Sequence, residues 1–525
     1  MNRWSYFAII ILQLLSLQNS CGEELADTPI RVGILHSHSG TMSISERPLV
    51  DAIMMAIDEV NERGGVLGRP LDPFIEDGQS DAAVFAEKAE KLIVEDRVAS
   101  VFGCWTSDSR KAVLPIFEKH NHLLWYPVQY EGQESSPNII YTGATPNQQI
   151  SPAVTWCRRE FGPRMFLVGS DYVFPRTANQ LIKLRLLELD ATAVGEEYLP
   201  LGSDDFDEIV AKIKRSKADV VLNTINGDSN LAFFRALEAA DIDHRQIPVM
   251  SFSVAEVELQ SIGVELMEGH YCSWNYFQSI ETPTNRRFVR EFRKRYGADR
   301  VTDDPIEAAY LQVHLFAKAV EKAGSTDPDA IRLAARGMIY SAPEGLVRID
   351  PRNQHTWKVS RIGRIKSDGQ FQIVWTSEDP LPPLPFLPEI FLATAAKNGD
   401  TMFTNISVMI ALEMNEPLDR GSRDLLALMA DVRGFLGNAR AKLRSAVLVA
   451  QSQHRIEFEL AWSEFDRRFS LLEEKQDELS EEQRDAFAEF KLALHAYTEN
   501  ANSMFATLYP AASESTDNSE QGVVQ

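Results

Sequence analysis

The chain is 525 residues long, 44% hydrophobic and 25% charged, with 53 Lys and Arg against 76 Asp and Glu for a net charge of −23. At roughly 150 residues per domain this length implies three to four domains, and the balance excludes a wholly disordered or collagen-like chain. So acidic a chain repels phosphate backbones, which argues against nucleic acid as a partner, and four cysteines without a C-x-x-C pair exclude a zinc ribbon or a disulfide-dense scaffold. At the N-terminus, Arg3 precedes a short apolar run over 6–17 and then Asn19, Ser20 and Cys21. This is the pattern of a secretory signal over residues 1–21, too short for a stable membrane span. Two readings stay open there. Cys21 is the lipidated N-terminus of a lipoprotein, although Gln18 and Asn19 fit a lipobox only loosely, or cleavage releases a soluble protein. Cys104, Cys157 and Cys272 then remain, an odd number, and read as buried or free thiols.

From Thr28 onward, strand and helix signals alternate. Ile30–Leu35 is a β-branched strand run, and helical spacing over Pro48–Arg63 stops at Gly64-Gly65. A helix at Ala82–Asp96, a strand at Val98–Phe102, a helix at Ser109–His120 and a strand at Leu123–Pro127 follow. The rhythm resumes with strands at Met165–Gly169 and Val220–Asn223 and helices at Arg176–Leu189, Phe206–Arg215 and Asn230–Ala240. Strands separated by helices imply parallel sheets covered on both faces, and two such runs imply two doubly wound lobes. The fold class is therefore α/β, two-lobed, over residues 28–385.

Near Asp379 the composition changes. Five prolines between 379 and 388 read as a linker or semi-rigid spacer. Beyond a linker and short helix at 386–417, apolar stripes with i, i+3/i+4, i+7 spacing include Leu425–Val447, Phe458–Leu472 and Phe487–Leu508. They predict a C-terminal α-helical bundle over 418–510, with a polar disordered tail at 511–525.

No GxxxxGK[ST], HExxH or GxSxG motif and no paired metal-ligand spacing appears. His36-Ser-His38 and His120-Asn-His122 read as loop polarity, and Gly64–Gly68 follows a helix and so reads as its stop. No catalytic residue, metal or cofactor is expected. The informative loops each follow a predicted strand: Gly103–Lys111, Tyr126–Gly132, Gly169–Arg176 and Asn223–Asn230. They are rich in aromatic and polar side chains, and open α/β sheets bind ligands at the carboxyl ends of their strands. Two lobes facing each other would bring these loops to one cleft, suited to a small, flat, polar ligand.

At these residues the chain resembles a known family. GCWTSDSRKAVLP, YPVQYEG, YTGATPNQQ, SDYVFPRT, NTINGDSN and NYFQSIETP, with Ser39-Gly-Thr-Met42, are similar to the urea-binding component of ABC-type urea importers. That family lies in the branched-chain amino-acid and amide-binding group of type I periplasmic binding proteins. The resemblance covers about 28–385 and implies two lobes joined by three crossings, about 28–146 with 272–348 and 147–271 with 349–385. It implies a ligand site of Trp105, Ser107, Tyr126, Gln129, Tyr172, Asn226 and Asp228. The family's second tyrosine in the DYxYPR segment is Phe174 here, so an aromatic wall stays and one hydroxyl is missing.

The physical chemistry of urea agrees. Its four N–H donors and one carbonyl need acceptors in excess, such as Ser107 Oγ, Gln129 Oε1 and Asp228, whereas an amino acid needs an ion-pairing clamp. Arg110 and Arg176 are the only arginines of these loops and read as helix-start residues. The expected function is an extracytoplasmic binding protein, lipid-anchored where Cys21 is acylated, that delivers urea or a short amide to an ABC permease. The alternative is a sensor that signals to a membrane protein through the C-terminal helices, which also offer a route to a homo-oligomer. Ser107 and Cys104 have no histidine nearby in sequence, so an enzyme is not expected.

Overall fold

The computed structural model describes residues 28–385 and individual positions between 465 and 491. The signal segment, the linker at 386–417 and most of the C-terminal stripes lie outside the described residues. Residues up to Phe386 form one compact unit, and those from Leu387 form a second.

The first lobe is built on a five-stranded sheet in the order β2-β1-β3-β4-β5, formed by β1 (Ile30–His36), β2 (Leu71–Asp77), β3 (Val101–Gly103), β4 (Leu124–Tyr126) and β5 (Ile139–Tyr141). All its pairings are parallel, as runs of buried β-branched residues separated by helices require. Helices α1 (Ser43–Glu62), α2 (Ala82–Val94) and α3 (Ser107–Lys119) connect its strands. The helix expected to start at Pro48 starts at Ser43. A proline at this position leaves only the Ile44 carbonyl without its helical donor, so the first turn forms ahead of it. Gly65, at φ +75°, carries the chain out of α1; a Cβ there would lie 2.1 Å from the Arg69 carbonyl oxygen.

The second lobe holds α4 (Ile150–Glu160), β6 (Arg164–Ser170), α5 (Val173–Glu188), β7 (Thr192–Leu199), α6 (Asp207–Ser216), β8 (Val220–Thr224), α7 (Ser229–Ala239), β9 (Val249–Ser251), α8 (Glu256–Ile262), α9 (Val264–Met267) and β10 (Tyr271–Trp274). The chain then returns to the first lobe for α10 (Pro283–Tyr296), α11 (Asp304–Ala323), α12 (Pro328–Ala335) and the three-stranded sheet of β11 (Ile339–Ala342), β12 (Gly345–Ile349) and β13 (Thr356–Trp357). β14 (Arg361–Ile365) and β15 (Phe371–Thr376) complete the second lobe's sheet, in the order β15-β14-β10-β9-β8-β6-β7, joining antiparallel to an otherwise parallel set. Because β10 pairs with β9 and β13 with β12, the chain changes lobes after Trp274 and after Trp357. One buried core packs around the first sheet, and two others cover the faces of the second. Cys104, Cys157 and Cys272 are free and buried, one in each of these cores.

Three crossings join the lobes: 142–149, 275–282 and 358–360. Asn275 ties them together, donating from Nδ2 to the Gln148 carbonyl at 3.1 Å and the Val359 carbonyl at 3.0 Å. The proline-rich stretch does not behave as a spacer over 381–385, where it packs as a strap along the crossings. Leu381 exchanges backbone hydrogen bonds with Lys358. Asn147 donates to the Pro382 carbonyl at 2.8 Å and accepts from the Leu384 N–H at 2.9 Å, and the Gln133 N–H reaches the Pro385 carbonyl at 2.7 Å. Prolines lack a donor but keep a carbonyl, and these partners use it. In the second unit, Phe465, Phe469, Leu472 and Phe487 are buried, with the Phe469 and Phe487 rings 5.8 Å apart, so residues of two predicted stripes meet.

Candidate functional site

The carboxyl ends of β1, β3 and β4 in one lobe face those of β6, β8 and β9 in the other. Gln129, after β4, donates from Nε2 to the Phe252 carbonyl at 3.0 Å and to Ser253 Oγ at 3.3 Å, both after β9. Thr41, after β1, donates its hydroxyl to Asp228, after β8. Ser45 Oγ donates to Glu258 Oε1 at 2.6 Å. Loops from the two lobes therefore meet at these strand ends.

α3 sets one wall. Thr106 caps it, its hydroxyl accepting from the Ser109 N–H at 3.1 Å, which places Ser107 in the first turn where N–H groups have no helical partner. Ser107 Oγ donates to Glu131 and accepts from Arg110 Nη1 at 3.0 Å. The Tyr126 hydroxyl donates to the Trp105 carbonyl at 2.6 Å, and both rings are buried.

Arg110, read from the sequence as a helix-start residue, is instead the hub of this wall. It is fully buried, with Nε 2.7 Å from Glu134 Oε1 and Nη2 3.2 Å from Glu131 Oε1, and its guanidinium lies over the Tyr126 and Tyr130 rings at 4.9 and 4.6 Å. Burial alone would lower its pKa, but Glu131 and Glu134 outweigh burial and hold it well above the ordinary value. Burial would likewise raise Glu134, yet Arg110 and Lys111 hold that carboxyl down at about 2. Lys111 Nζ lies 2.9 Å from Glu134 Oε2. Two cations and two carboxylates thus neutralise one another behind Ser107.

The second lobe supplies the opposite wall. Tyr172 precedes α5; burial raises its hydroxyl pKa well above the ordinary value, and Tyr126, Glu131 and Asp108 across the cleft push it the same way. Phe174 packs in a core of that lobe, its ring 6.4 Å from Tyr172. Asn226 is buried, its N–H donating to Ser170 Oγ at 3.1 Å and its Nδ2 to the Thr224 carbonyl at 3.1 Å. Asp228 is exposed and bound by Thr41. Arg176 pairs with Asp171 at 2.5 Å, outside the wall. Gln129 Oε1 is buried without a hydrogen-bond partner among the described residues.

Sequence reasoning missed Arg110, Glu131, Glu134, Thr41 and Ser45 as members of the site. Glu131 and Thr41 stand inside quoted motifs, so their signal was present, whereas the Arg110 pairing to Glu131 and Glu134 closes over a loop with no regular spacing. Cys104, beside Trp105, is buried, and burial raises its thiol pKa above the ordinary value, which disfavours the thiolate. No group of three or more His, Cys, Asp or Glu able to hold a metal occurs among the described residues, and none of their helices is long and apolar enough to cross a membrane.

Comparison with known proteins agrees with this architecture. The chain is 25% identical over 337 residues to the Leu/Ile/Val-binding protein homolog 6 of Brucella melitensis, covering 62% of this chain and 85% of that protein. It is 34% identical over 134 residues to a protein named limonene hydroxylase from Geobacillus stearothermophilus, of which it spans only 24%. Its fold is that of a solute binding protein of an ABC transporter from Rhodopseudomonas palustris HaA2, solved with p-hydroxybenzoic acid, at a TM-score of 0.62 and 24% identity over 67% of this chain and 98% of that one. Residues 30–390, most of the chain, match the family described as periplasmic binding protein domain. The chain thus belongs to the periplasmic binding protein family, as an extracytoplasmic solute-binding protein.

Proposed function

We propose that the interlobe cleft captures urea or a short aliphatic amide for an ABC importer. Trp105, Tyr126, Tyr172 and Phe174 form the aromatic walls in this reading, and Ser107, Gln129 and Asn226 the polar contacts, while Asp228, read from the sequence as a further contact, is taken up by Thr41. The observation that carries it is charge pairing: Arg110, Lys111 and Arg176, the cations of the candidate loops, each already face a carboxylate. A ligand carboxylate would find no uncommitted cation there, whereas a neutral amide needs none. Gln129 Oε1, buried and unpartnered among the described residues, suits an N–H donor.

The relatives supply the competing reading, because one is named for Leu/Ile/Val binding and another was solved with p-hydroxybenzoic acid, all carboxylate ligands. Calorimetry on the full chain separates the two. Urea or acetamide binds at one site per chain more tightly than leucine or 4-hydroxybenzoate; tighter binding of either carboxylate sinks the neutral-amide reading. The buried Phe465, Phe469 and Phe487 cluster supports a folded C-terminal unit and, with it, a second reading. There the same receptor reports its ligand to a membrane partner through that unit, which also mediates self-association. Lipid anchoring at Cys21 belongs to either reading.

A further inference from the structure

The β1–α1 loop carries the Ser39-Gly-Thr-Met42 motif and meets the second lobe. It is held unusually firmly. Glu46 Oε2 accepts from the Ser37 N–H at 2.8 Å and lies 3.1 Å from His36 Nδ1. Asp77 accepts from the His38 N–H and from Ser39 Oγ, both at 2.8 Å. Ser80 Oγ accepts from the Met42 N–H at 3.1 Å and donates to the Ser39 carbonyl at 2.9 Å. Three side chains from neighbouring elements thus fix a six-residue loop whose one outward product is the Thr41 hydroxyl.

The receiving loop in the second lobe is also prebuilt. Asn230 Nδ2 holds the Ile225 carbonyl at 2.9 Å, and the Asn226 N–H is held by Ser170. Gly227 sits at φ +68°, and a Cβ on it would lie 3.0 Å from the Thr41 carbonyl oxygen and 3.2 Å from Met42 Sδ. The two backbones therefore meet with no room for a side chain, and Asp228 receives Thr41 beside that contact. One helical turn further along α1, the buried Ser45 hydroxyl makes the second bridge, to Glu258, whose other oxygen accepts from the Ala255 N–H at 3.0 Å.

We infer that Thr41–Asp228 and Ser45–Glu258 form an interlobe latch that holds the closed cleft and sets how long a captured solute stays. This rests on the solute-binding reading of the cleft, and it assigns Asp228 to positioning the lobes through Thr41. Hydroxyl-to-carboxylate bonds formed only on closure slow opening and leave the encounter of solute with the open cleft unaffected, so they act on dissociation.

The test is release of radiolabelled urea from the full chain in a chase experiment, for the wild type, Thr41→Val, Ser45→Ala, Asp228→Ala and Thr41→Val/Asp228→Ala. Each single variant speeds dissociation about threefold to tenfold with little change in association. The double variant releases no faster than Asp228→Ala, because both substitutions break one bond. Unchanged dissociation in the single variants overturns the latch, and so do Thr41 and Asp228 effects that multiply, which would put Asp228 on the ligand. If wild type retains no urea, the ligand reading fails on its own, and a Thr41→Cys/Asp228→Cys chain decides the latch. A short thiol–thiol crosslinker joins that pair in the presence of whichever of urea, acetamide, leucine or 4-hydroxybenzoate binds. Absence of crosslinking with all four overturns it.

Discussion

Arg110 shows how a binding wall is stiffened from behind. Its guanidinium satisfies Ser107, Glu131 and Glu134 at once and stacks on two tyrosines, so the hydroxyl offered to a ligand has a fixed direction. Two substitutions separate wall from ligand contact. Ser107→Ala costs roughly 1–3 kcal/mol of ligand affinity in calorimetry while leaving the melting temperature close to wild type. Arg110→Met strands two buried carboxylates and destabilises the first lobe by about 3–5 kcal/mol, seen as a lower melting temperature before any ligand is added. Equal melting temperatures for wild type and Arg110→Met would mean that the cluster does not support the wall. The sequence displays Ser107, Tyr126 and Gln129 as polar and aromatic residues after strands, which is why they were legible. Arg110 stands in a quoted motif, but nothing local marks its pairing, because its partners lie 21 and 24 residues away across an irregular loop.

Among the elements, those with a periodic signature were readable and those defined by their neighbours were not. The helices over Ala82–Val94 and Ser107–Lys119 show their apolar spacing, and their bounds agree with the sequence reading within a few residues. β2 went unread because Pro73 interrupts it. It lies at the edge of the sheet and pairs only with β1, so the missing N–H costs no ladder bond. The strap over 381–385 was misread for a related reason, since its order comes from carbonyls accepting from distant amides rather than from a repeating pattern. Asn147 grips it twice, and Asn147→Ala therefore speeds hydrogen exchange at the Leu384 amide, measured by mass spectrometry of the peptide that contains it. Exchange equal to wild type would show that the strap is held elsewhere.

Across the whole molecule, the crossings run beside an excess of buried acid. Asp304 and Glu307 on α11, Glu344 before β12 and Glu256 and Glu258 on α8 are buried near Asp303, while Lys358 and Arg361 are the cations that act on the Asp304, Glu307 and Glu344 carboxyls. Burial raises all six carboxyls, reinforced for Glu256, Asp303, Glu307 and Glu344 by neighbouring carboxylates, and Glu256 rises from 4.5 to about 8. An acid whose folded pKa is raised contributes stability below its unfolded pKa and loses it as pH climbs through the folded value. Glu134, lowered from 4.5 to about 2, acts in the opposite sense: its contribution is present above 4.5 and lost as pH falls toward 2. The melting temperature therefore falls as pH rises from about 4.5 to about 8, and Glu256→Gln flattens part of that slope. A melting temperature that rises over this range would contradict the assignment. Two lobes with parallel sheets were legible from two strand–helix runs, but the return through β14 and β15 came only from the family resemblance, which put 349–385 with 147–271, because antiparallel partners contributed from after the third crossing carry no local marker of which sheet they join. The three thiols, each sealed in a different core, have a consequence for biogenesis. In an oxidising space those thiols can form wrong disulfides only while the cores are still open, so their protection against scrambling lies in how fast the chain folds.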